Sequence, residues 1–437
     1  MPLERTLSRF PPAAAAFARS LLDHHWREAS WAYTRRGVMH EQGALLDADA
    51  WSGVEARADA HVEALCRGGA LVVEDCDERI GGNRVGELAV GLRIVARMDW
   101  ARRFNEWVEQ LDWSRPRHAQ AVVDALAWDA PDSWRELVGA ILDDESAPEQ
   151  ALGPLARVAG MRGWPVGDSL VGVLEDRVGD LEAIAWATGA LRTADAVPEL
   201  EALIQEPEDG AVRRAAAIAA LRFEPEAVVR YLSHVVAAEE WAAVPLALAA
   251  GTEQWTRLRD GVLAEPTPDR AIALGLFGAQ HAIEPLLDLL GDEQCGAAAA
   301  EALFLLTGAP LREEAHARDP KAEPGNDDER RPALLVARLS RERQVWSEWI
   351  ADWGGRPRPA GTTRVRHGVA IEPTRVLQAV ARTDDRAEIR GWMLEELDIR
   401  YGAHVPAWPG LLQCQQQRAR AMFPITSGSA GDWARRR

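Results

Sequence analysis

The hydrophobic pattern between residues 121 and 308 alternates between two kinds of segment. The first kind is rich in alanine and occurs at 121–128, 151–160, 181–191, 211–223, 241–251, 271–278 and 297–308. The second kind is more polar and lies between them, at 133–142, 166–176, 195–206, 225–236, 254–263 and 281–291. In the polar segments apolar residues recur at helical spacing, for example at Val197, Leu200 and Ile204. The pattern therefore predicts two kinds of short helix in alternation.

Glycines recur near the ends of the alanine-rich segments at a nearly constant interval. Gly251, Gly278 and Gly308 lie about 30 residues apart, and Gly160 begins the series. A pair of short helices cannot bury its apolar face alone, whereas stacked pairs form a continuous core. The period therefore predicts an all-α fold, a HEAT-like α-solenoid of about six helix pairs over residues 116–309.

The regions on either side of these segments are less regular. Residues 1–115 contain longer helical patterns, which predict an N-terminal helical cap. Residues 310–335 are charged, contain proline and glycine, and have few apolar side chains, so they predict an exposed linker or loop. Residues 336–437 predict a C-terminal helical module that contains tryptophan.

Composition narrows the class of protein. The net charge of −18 repels a phosphate backbone, so a nucleic-acid partner is not expected. The sequence has no apolar run of about 18 residues, and charged residues interrupt the N-terminal apolar patch, so neither a membrane span nor a signal peptide is predicted. The four cysteines form no CxxC pair. These features predict a cytoplasmic protein with reduced thiols, no membrane partner and no cofactor.

Six segments near the two ends of the chain carry a resemblance to a known family. They are EASWAYTRR (28–36), LDADAWSGVEARADAHVEAL (46–65), WSEWIADW (346–353), GTTRVRHG (361–368), RAEIRGWMLEELDIRYG (386–402) and PAWPGLLQCQQQ (406–417). In this order they resemble a family of bacterial HEAT-repeat proteins of unknown biochemical activity. Genes of that family often lie beside genes for type VI secretion, near spike-tip, effector and chaperone-like proteins. The resemblance therefore implies a secretion-related partner.

Cys295 and the histidines are the residues whose chemistry would suit catalysis or metal binding. Cys295 follows Asp292 at the start of a predicted helix, where a helix N-terminus lowers a thiol pKa and a nearby carboxylate opposes that shift. No base or third catalytic partner accompanies it in a recognisable motif, so we interpret Cys295 as structural. Only one His-Glu pair is present, at 40–41, and the neighbours His24 and His25 are not expected to face the same way. We predict no catalytic residues and no metal site.

The candidate protein-binding residues are aromatic and basic. Trp346, Trp349 and Trp353 follow one helical stripe, and exposed tryptophan concentrates binding energy. Packing of that helix onto its neighbours is an alternative explanation of the stripe, and it stays open. Arg213 and Arg214 are among the few positive charges on the alanine-rich segments and complete the candidate set.

These observations favour a non-enzymatic scaffold that binds another protein along its concave surface. We expect an adaptor, chaperone or accessory factor for a type VI secretion cargo. One alternative is an immunity protein that binds a toxin, which would share the fold and the genomic setting. A second alternative is a HEAT-like enzyme of the DNA glycosylase or bilin lyase type, which the net charge of −18 and the lack of a catalytic motif disfavour.

Overall fold

The computed structural model describes residues 9–42, 48–82, 84–206, 209–316, 335–353, 364–381 and 386–422. Over these residues the protein is all-helical, apart from two short antiparallel strand pairs. The helices and strands form two compact units. The first contains the described residues within 9–41 and 48–196 together with Gly410–Gln416, and the second contains those within 197–409 and after 416. The prediction of an all-α fold is confirmed.

The first unit is built from ten helices among the described residues. Their bounds are α1 Pro12–Gln42, α2 Ala48–Cys66, α3 Ala70–Ile80, α4 Val85–Arg97, α5 Ala101–Val108, α6 Pro116–Asp129, α7 Arg135–Leu142, α8 Glu149–Arg162, α9 Gly167–Asp176 and α10 Leu181–Ala190. Helices α4, α6, α8 and α10 pack side by side in chain order. Helices α2 and α3 pack on α4, α7 packs on α8, and α9 packs on α10. The more polar helices therefore cover a row of small-residue helices.

The second unit contains eleven helices that lie wholly within it, again counted over the described chain. Their bounds are α11 Val197–Gln205, α12 Gly210–Ala220, α13 Pro225–Val235, α14 Ala243–Ala249, α15 Trp255–Ala264, α16 Pro268–Phe277, α17 Ile283–Leu289, α18 Gly296–Thr307, α19 Arg343–Trp353, α20 Pro373–Val380 and α21 Ala387–Tyr401. A last helix, α22, spans Gln413–Ala421. Helices α12, α14, α16 and α18 pack in sequence, and α11, α13, α15 and α17 each pack on the next of these. Helix α21 packs on α14.

Small residues set the close spacing within the alanine-rich row. A Cβ added to Gly275 on α16 would lie 2.6 Å from the Cα of Ala302 on α18, so only glycine fits at this crossing. Gly308 ends α18 in the left-handed region, at φ 69°, where a side chain is strained. The terminal glycine of a segment therefore acts here as a helix stop, as the sequence pattern indicates.

The structure does not divide the chain at the predicted boundaries. The sequence predicted separate regions at 1–115, 116–309 and 336–437, whereas the two compact units part after Ala196. The reason is that helices on opposite sides of each predicted boundary share a core: α4 packs on α6, and α14 packs on α21. Neither predicted boundary interrupts the packing.

The predicted linker at 310–335 also differs from the structure where the structure describes it. Strand β1 (Arg312–His316) pairs with β2 (Leu335–Leu339) in an antiparallel ladder. Glu313 and Glu314 stay exposed in this strand. A charged segment can form a strand here because the strands are joined by backbone hydrogen bonds, which do not require these side chains to be buried. Residues 317–334 of the predicted linker lie outside the described residues. A second pair joins β3 (Val365–Arg366) to β4 (Val369–Ala370).

Candidate functional site

The second unit has an open groove between α13 and α15, lined mostly by residues with charged or polar side chains. Its volume is about 310 Å³. We call it the outer groove, and its lining residues are Glu226, Val229, Arg230, Ser233, Glu253, Gln254 and Arg257. The helical spacing of 226 and 230 places both charged side chains on one face of α13. The facing wall consists of 253 and 254, in the 3-10 turn Thr252–Gln254 just before α15, and of 257 on α15 itself. The groove is therefore formed by two helices of the polar kind.

The outer groove carries both signs of charge and an unused acceptor. Glu226, Arg230, Glu253 and Arg257 are all exposed, and none belongs to an ion pair within the described residues. The side-chain oxygen of Gln254 is buried and has no hydrogen-bond partner there. Two carboxylates, two guanidinium groups and a free acceptor match the mixed donors and acceptors of a polypeptide. The arrangement suits a protein ligand better than a phosphate backbone.

A buried ionic network lies elsewhere in the second unit, on α21. The side chain of Arg222 is fully buried; its Nε donates to Asp398 Oδ2 at 2.8 Å, and it also pairs with Glu395. These two carboxylates are three residues apart, so they lie on the same face of α21. Arg222 follows the end of α12 and therefore ties α21 to the alanine-rich row.

Three more arginines, Arg364, Arg366 and Arg400, surround Glu396. We call these four residues the arginine cluster. Glu396 has no exposed side-chain surface and lies 3.1 Å from Arg366, 3.4 Å from Arg364 and 3.3 Å from Arg400. The same arginines donate to carbonyl oxygens near the ends of α14 and α16, including Arg366 to Leu276 at 2.6 Å. Helix C-termini carry unpaired carbonyls and partial negative charge, which stabilise the excess positive charge. Burial lowers the pKa of Arg364, and Arg400 adds to that effect.

The first unit holds the chain segment Gly410–Gln416 through main-chain contacts. Arg36 Nη2 donates to the carbonyl oxygens of Gly410 at 3.1 Å and Leu411 at 3.0 Å. Glu55 accepts from Arg36 Nε at 2.8 Å and from the Gln413 amide at 2.6 Å. The buried Arg36–Glu55 pair thus satisfies backbone donors and acceptors at the start of α22.

Trp128 and its neighbours form the rest of this contact. Its Nε1 donates to Gly410 O at 2.8 Å, and the guanidinium groups of Arg36 and Arg93 lie 4.6 and 5.2 Å from its ring. Tyr33 OH donates to Asp124 Oδ2 at 2.9 Å, while burial raises the pKa of Asp124 against the opposing effect of Arg36. The adjoining cavity leaves about 10 Å³ for the centre of a water molecule, room for about one. This region is packed rather than open.

The structure separates the predicted tryptophan stripe into different environments. Trp346 is fully buried, and its Nε1 donates to Ser340 O at 2.7 Å, so its side chain stabilises the fold. Trp349 is half-buried. Trp353 ends α19, and its side chain lies outside the described residues. A binding role for Trp349 stays a prediction, and the packing alternative accounts for Trp346.

The two predicted arginines are engaged within the second unit. Arg213 is buried; it donates to Ile204 O at 3.0 Å and to Glu239 at 3.0 Å, and it lies over the Trp241 ring at 4.5 Å. Arg214 pairs with Asp269 and keeps about a fifth of its side chain exposed. Arg213 therefore holds helices together, and a binding role for Arg214 stays a prediction. Sequence reasoning missed the outer groove, because its four charged residues are ordinary solvent-facing positions of two separate helices.

Three of the four cysteines, Cys66, Cys76 and Cys295, lie in environments that suppress thiol reactivity. Burial raises the pKa of Cys295, and Asp292 raises it further. Asp292 Oδ1 accepts from the Cys295 amide at 2.7 Å and from the Gln294 amide at 2.9 Å, so the carboxylate holds the turn that precedes α18. Burial also raises the pKa of Cys66 to about 11 and that of Cys76 well above its usual value.

Three histidines meet in the first unit: the sequence neighbours His24 and His25, and the distant His61. His25 Nδ1 lies 2.8 Å from His61 Nδ1, and the ring of His24 lies 5.6 and 5.7 Å from the other two. Burial lowers the pKa of both His25 and His61, with neighbouring imidazoles adding to the effect. No group of three or more His, Cys, Asp or Glu in the described part of the chain is arranged to hold a metal. The sequence showed the pair 24–25 but not the approach of His61 from α2.

No family model, no curated protein and no solved structure matches this chain. The family resemblance of the end segments therefore stays a prediction. In the described ranges, no helix is both long and apolar enough to cross a membrane.

Proposed function

We propose that this protein is a non-enzymatic, HEAT-like α-solenoid that binds another protein. The outer groove is the observation that carries the proposal. Its exposed charged side chains, which include both signs, form no ion pairs in the described structure, and the Gln254 side-chain oxygen has no hydrogen-bond donor there. The groove lies between two polar helices that each pack on the alanine-rich row, and solenoid proteins bind their partners on extended surfaces built from stacked repeats.

The proposed partner is a type VI secretion cargo or a protein that accompanies one. The protein would act as an adaptor, chaperone or accessory factor. Support for this part comes from the family resemblance of the end segments. The charge of the groove supports a partner with both acidic and basic side chains, because each wall carries one carboxylate and one guanidinium group: Glu226 and Arg230 on one wall, Glu253 and Arg257 on the other.

The test is co-purification from a host in which the neighbouring genes are intact. The wild-type chain is compared with a double variant, Arg230→Glu and Arg257→Glu, which reverses both positive charges of the groove. The matched control, Arg67→Glu and Arg102→Glu, makes the same charge change at exposed arginines of the first unit. We expect a partner that the wild type and the control recover and that the groove variant loses by at least about tenfold.

Each outcome of this experiment has a defined meaning. Equal recovery by the groove variant and the control would reject the outer groove as the binding surface. Repeated failure to recover a spike-tip, effector or chaperone-like protein would reject the secretion role. Recovery of a toxin whose activity the protein blocks in a co-expression assay would identify the immunity alternative instead.

A further inference from the structure

Two imidazoles from different helices of the first unit face each other at close range. His25 lies on α1 and His61 on α2, and their Nδ1 atoms are 2.8 Å apart. One Nδ1–H therefore donates to the lone pair of the other ring. Both side chains are half-exposed, and His24 presents a third, exposed ring beside them. Ions from solvent can reach this histidine pair.

We propose that His25 and His61 each supply one nitrogen ligand to a divalent transition metal that prefers square-planar or tetragonal nitrogen coordination, such as Cu²⁺. Imidazole nitrogens bind such ions at about 2.0–2.1 Å. Two ligands at right angles on one ion are then about 2.9 Å apart, whereas tetrahedral ligands are about 3.3 Å apart. The observed separation of 2.8 Å is closer to the first value.

Metal binding requires only a local change in the two rings. The ion takes the place of the shared proton, and the donating ring shifts to the tautomer with its proton on Nε2. Each ring turns about its terminal torsion, which is soft, so that both lone pairs converge on the ion. Water completes the coordination, since the pair supplies two nitrogens. The bound ion links α1 to α2 across 36 positions of the chain.

The charges around the pair are mixed. Glu28 lies near His61, where its charge favours a cation, and its carboxylate pairs with Arg57 at 2.6 Å. Arg57 opposes a cation at the same place. The neighbouring charges therefore leave the binding energy to the two imidazoles, and substitution of either one should remove most of it.

The test uses the full-length chain without a histidine tag. Cu²⁺ is titrated calorimetrically into the wild type, His25→Gln, His61→Gln and a control, His234→Gln, which removes an exposed histidine of the second unit. We expect one tight equivalent in the wild type and the control, and at least tenfold weaker binding in the other two variants. Equal affinity in all four proteins would overturn the proposal.

A second measurement uses the wild-type protein alone, so it does not depend on how the variants fold. Substoichiometric Cu²⁺ broadens the NMR signals of nearby nuclei. We expect the imidazole signals of His25 and His61 to broaden first, together with a tetragonal nitrogen-ligand signature in the electron paramagnetic resonance spectrum. Broadening that begins at other histidines would overturn the assignment.

Discussion

Replacing Glu396 by glutamine removes the negative charge at the centre of the arginine cluster and keeps the side chain nearly the same size. Glu396 is fully buried and is within 3.4 Å of three guanidinium groups. Arg366 is 1% exposed, and its Nε and Nη1 have no hydrogen-bond partner in the described structure. Arg366 therefore depends on Glu396 and on the Leu276 carbonyl to offset its buried charge.

The expected loss follows from the cost of a buried charge without its partner. Breaking a buried ion pair from one side typically costs about 3–5 kcal/mol. The carbonyls of α14 and α16 offset part of the positive charge, so we expect Glu396→Gln to lower the free energy of unfolding by about 3 kcal/mol, at the lower end of that range. The control is Glu284→Gln, whose ion pair with Arg343 is well exposed and should cost about 0–1 kcal/mol.

Urea unfolding followed by circular dichroism measures the effect. Both substitutions lie in the second unit, so the unfolding free energy of that unit is compared between each variant and the wild type, with the dependence on urea concentration (the m-value) held equal. A loss below about 1 kcal/mol for Glu396→Gln, no larger than that of the control, would refute the idea that this carboxylate offsets the buried arginines.

Three further predictions concern packing, pH and thiol chemistry. Gly275→Ala should destabilise the protein by about 1–3 kcal/mol because the added Cβ meets the backbone of α18. Gly391→Ala, whose Cβ would have nothing within 4 Å, should instead stabilise it by about 0.5–1 kcal/mol. The urea midpoint should therefore fall for the first variant and rise for the second, and shifts of the same sign would contradict this. Burial raises the folded-state pKa of Asp124, so its contribution to stability is present at low pH and is lost as pH rises from the ordinary aspartate range through the raised value. Asp124→Asn should therefore gain stability relative to the wild type between pH 4 and neutral pH, and a constant difference would contradict this. Cys414 is exposed, whereas Cys66 is half-buried with a raised pKa, so Cys414 should react with a thiol reagent at pH 8 well before Cys66, as mass spectrometry of the labelled peptides would show; faster labelling of Cys66 would contradict this.

The helices were predictable because their pattern is local. Each alanine-rich and polar segment predicted from periodicity coincides with a helix of the structure apart from residues at its ends, since the spacing of apolar residues depends only on the helix repeat. The strand of β1 was not predicted, because its pairing depends on a segment some twenty residues further along. The predicted boundaries at 115 and 309 stay predictions: they follow changes in composition, and helix packing continues across both places.

Candidate sites were less predictable than helices. The sequence correctly indicated that Cys295 lies beside an opposing carboxylate, and the raised thiol pKa agrees with a structural role. It could not indicate that Arg213 would be buried against Trp241, since charged residues are normally exposed and only the packing of the next helix covers this one. The same limit applies to the outer groove, where each wall comes from a different helix.

The sequence by itself determined the all-α character of the fold, the positions of the alternating helices and the glycine that stops α18. These properties depend on neighbours within one or two helical turns. Only the tertiary structure decided that Glu396 gathers three arginines, that Gly410–Gln416 joins the first unit, and that His25 meets His61. Those contacts join residues far apart in the chain, and their geometry follows from how helices pack rather than from any local repeat.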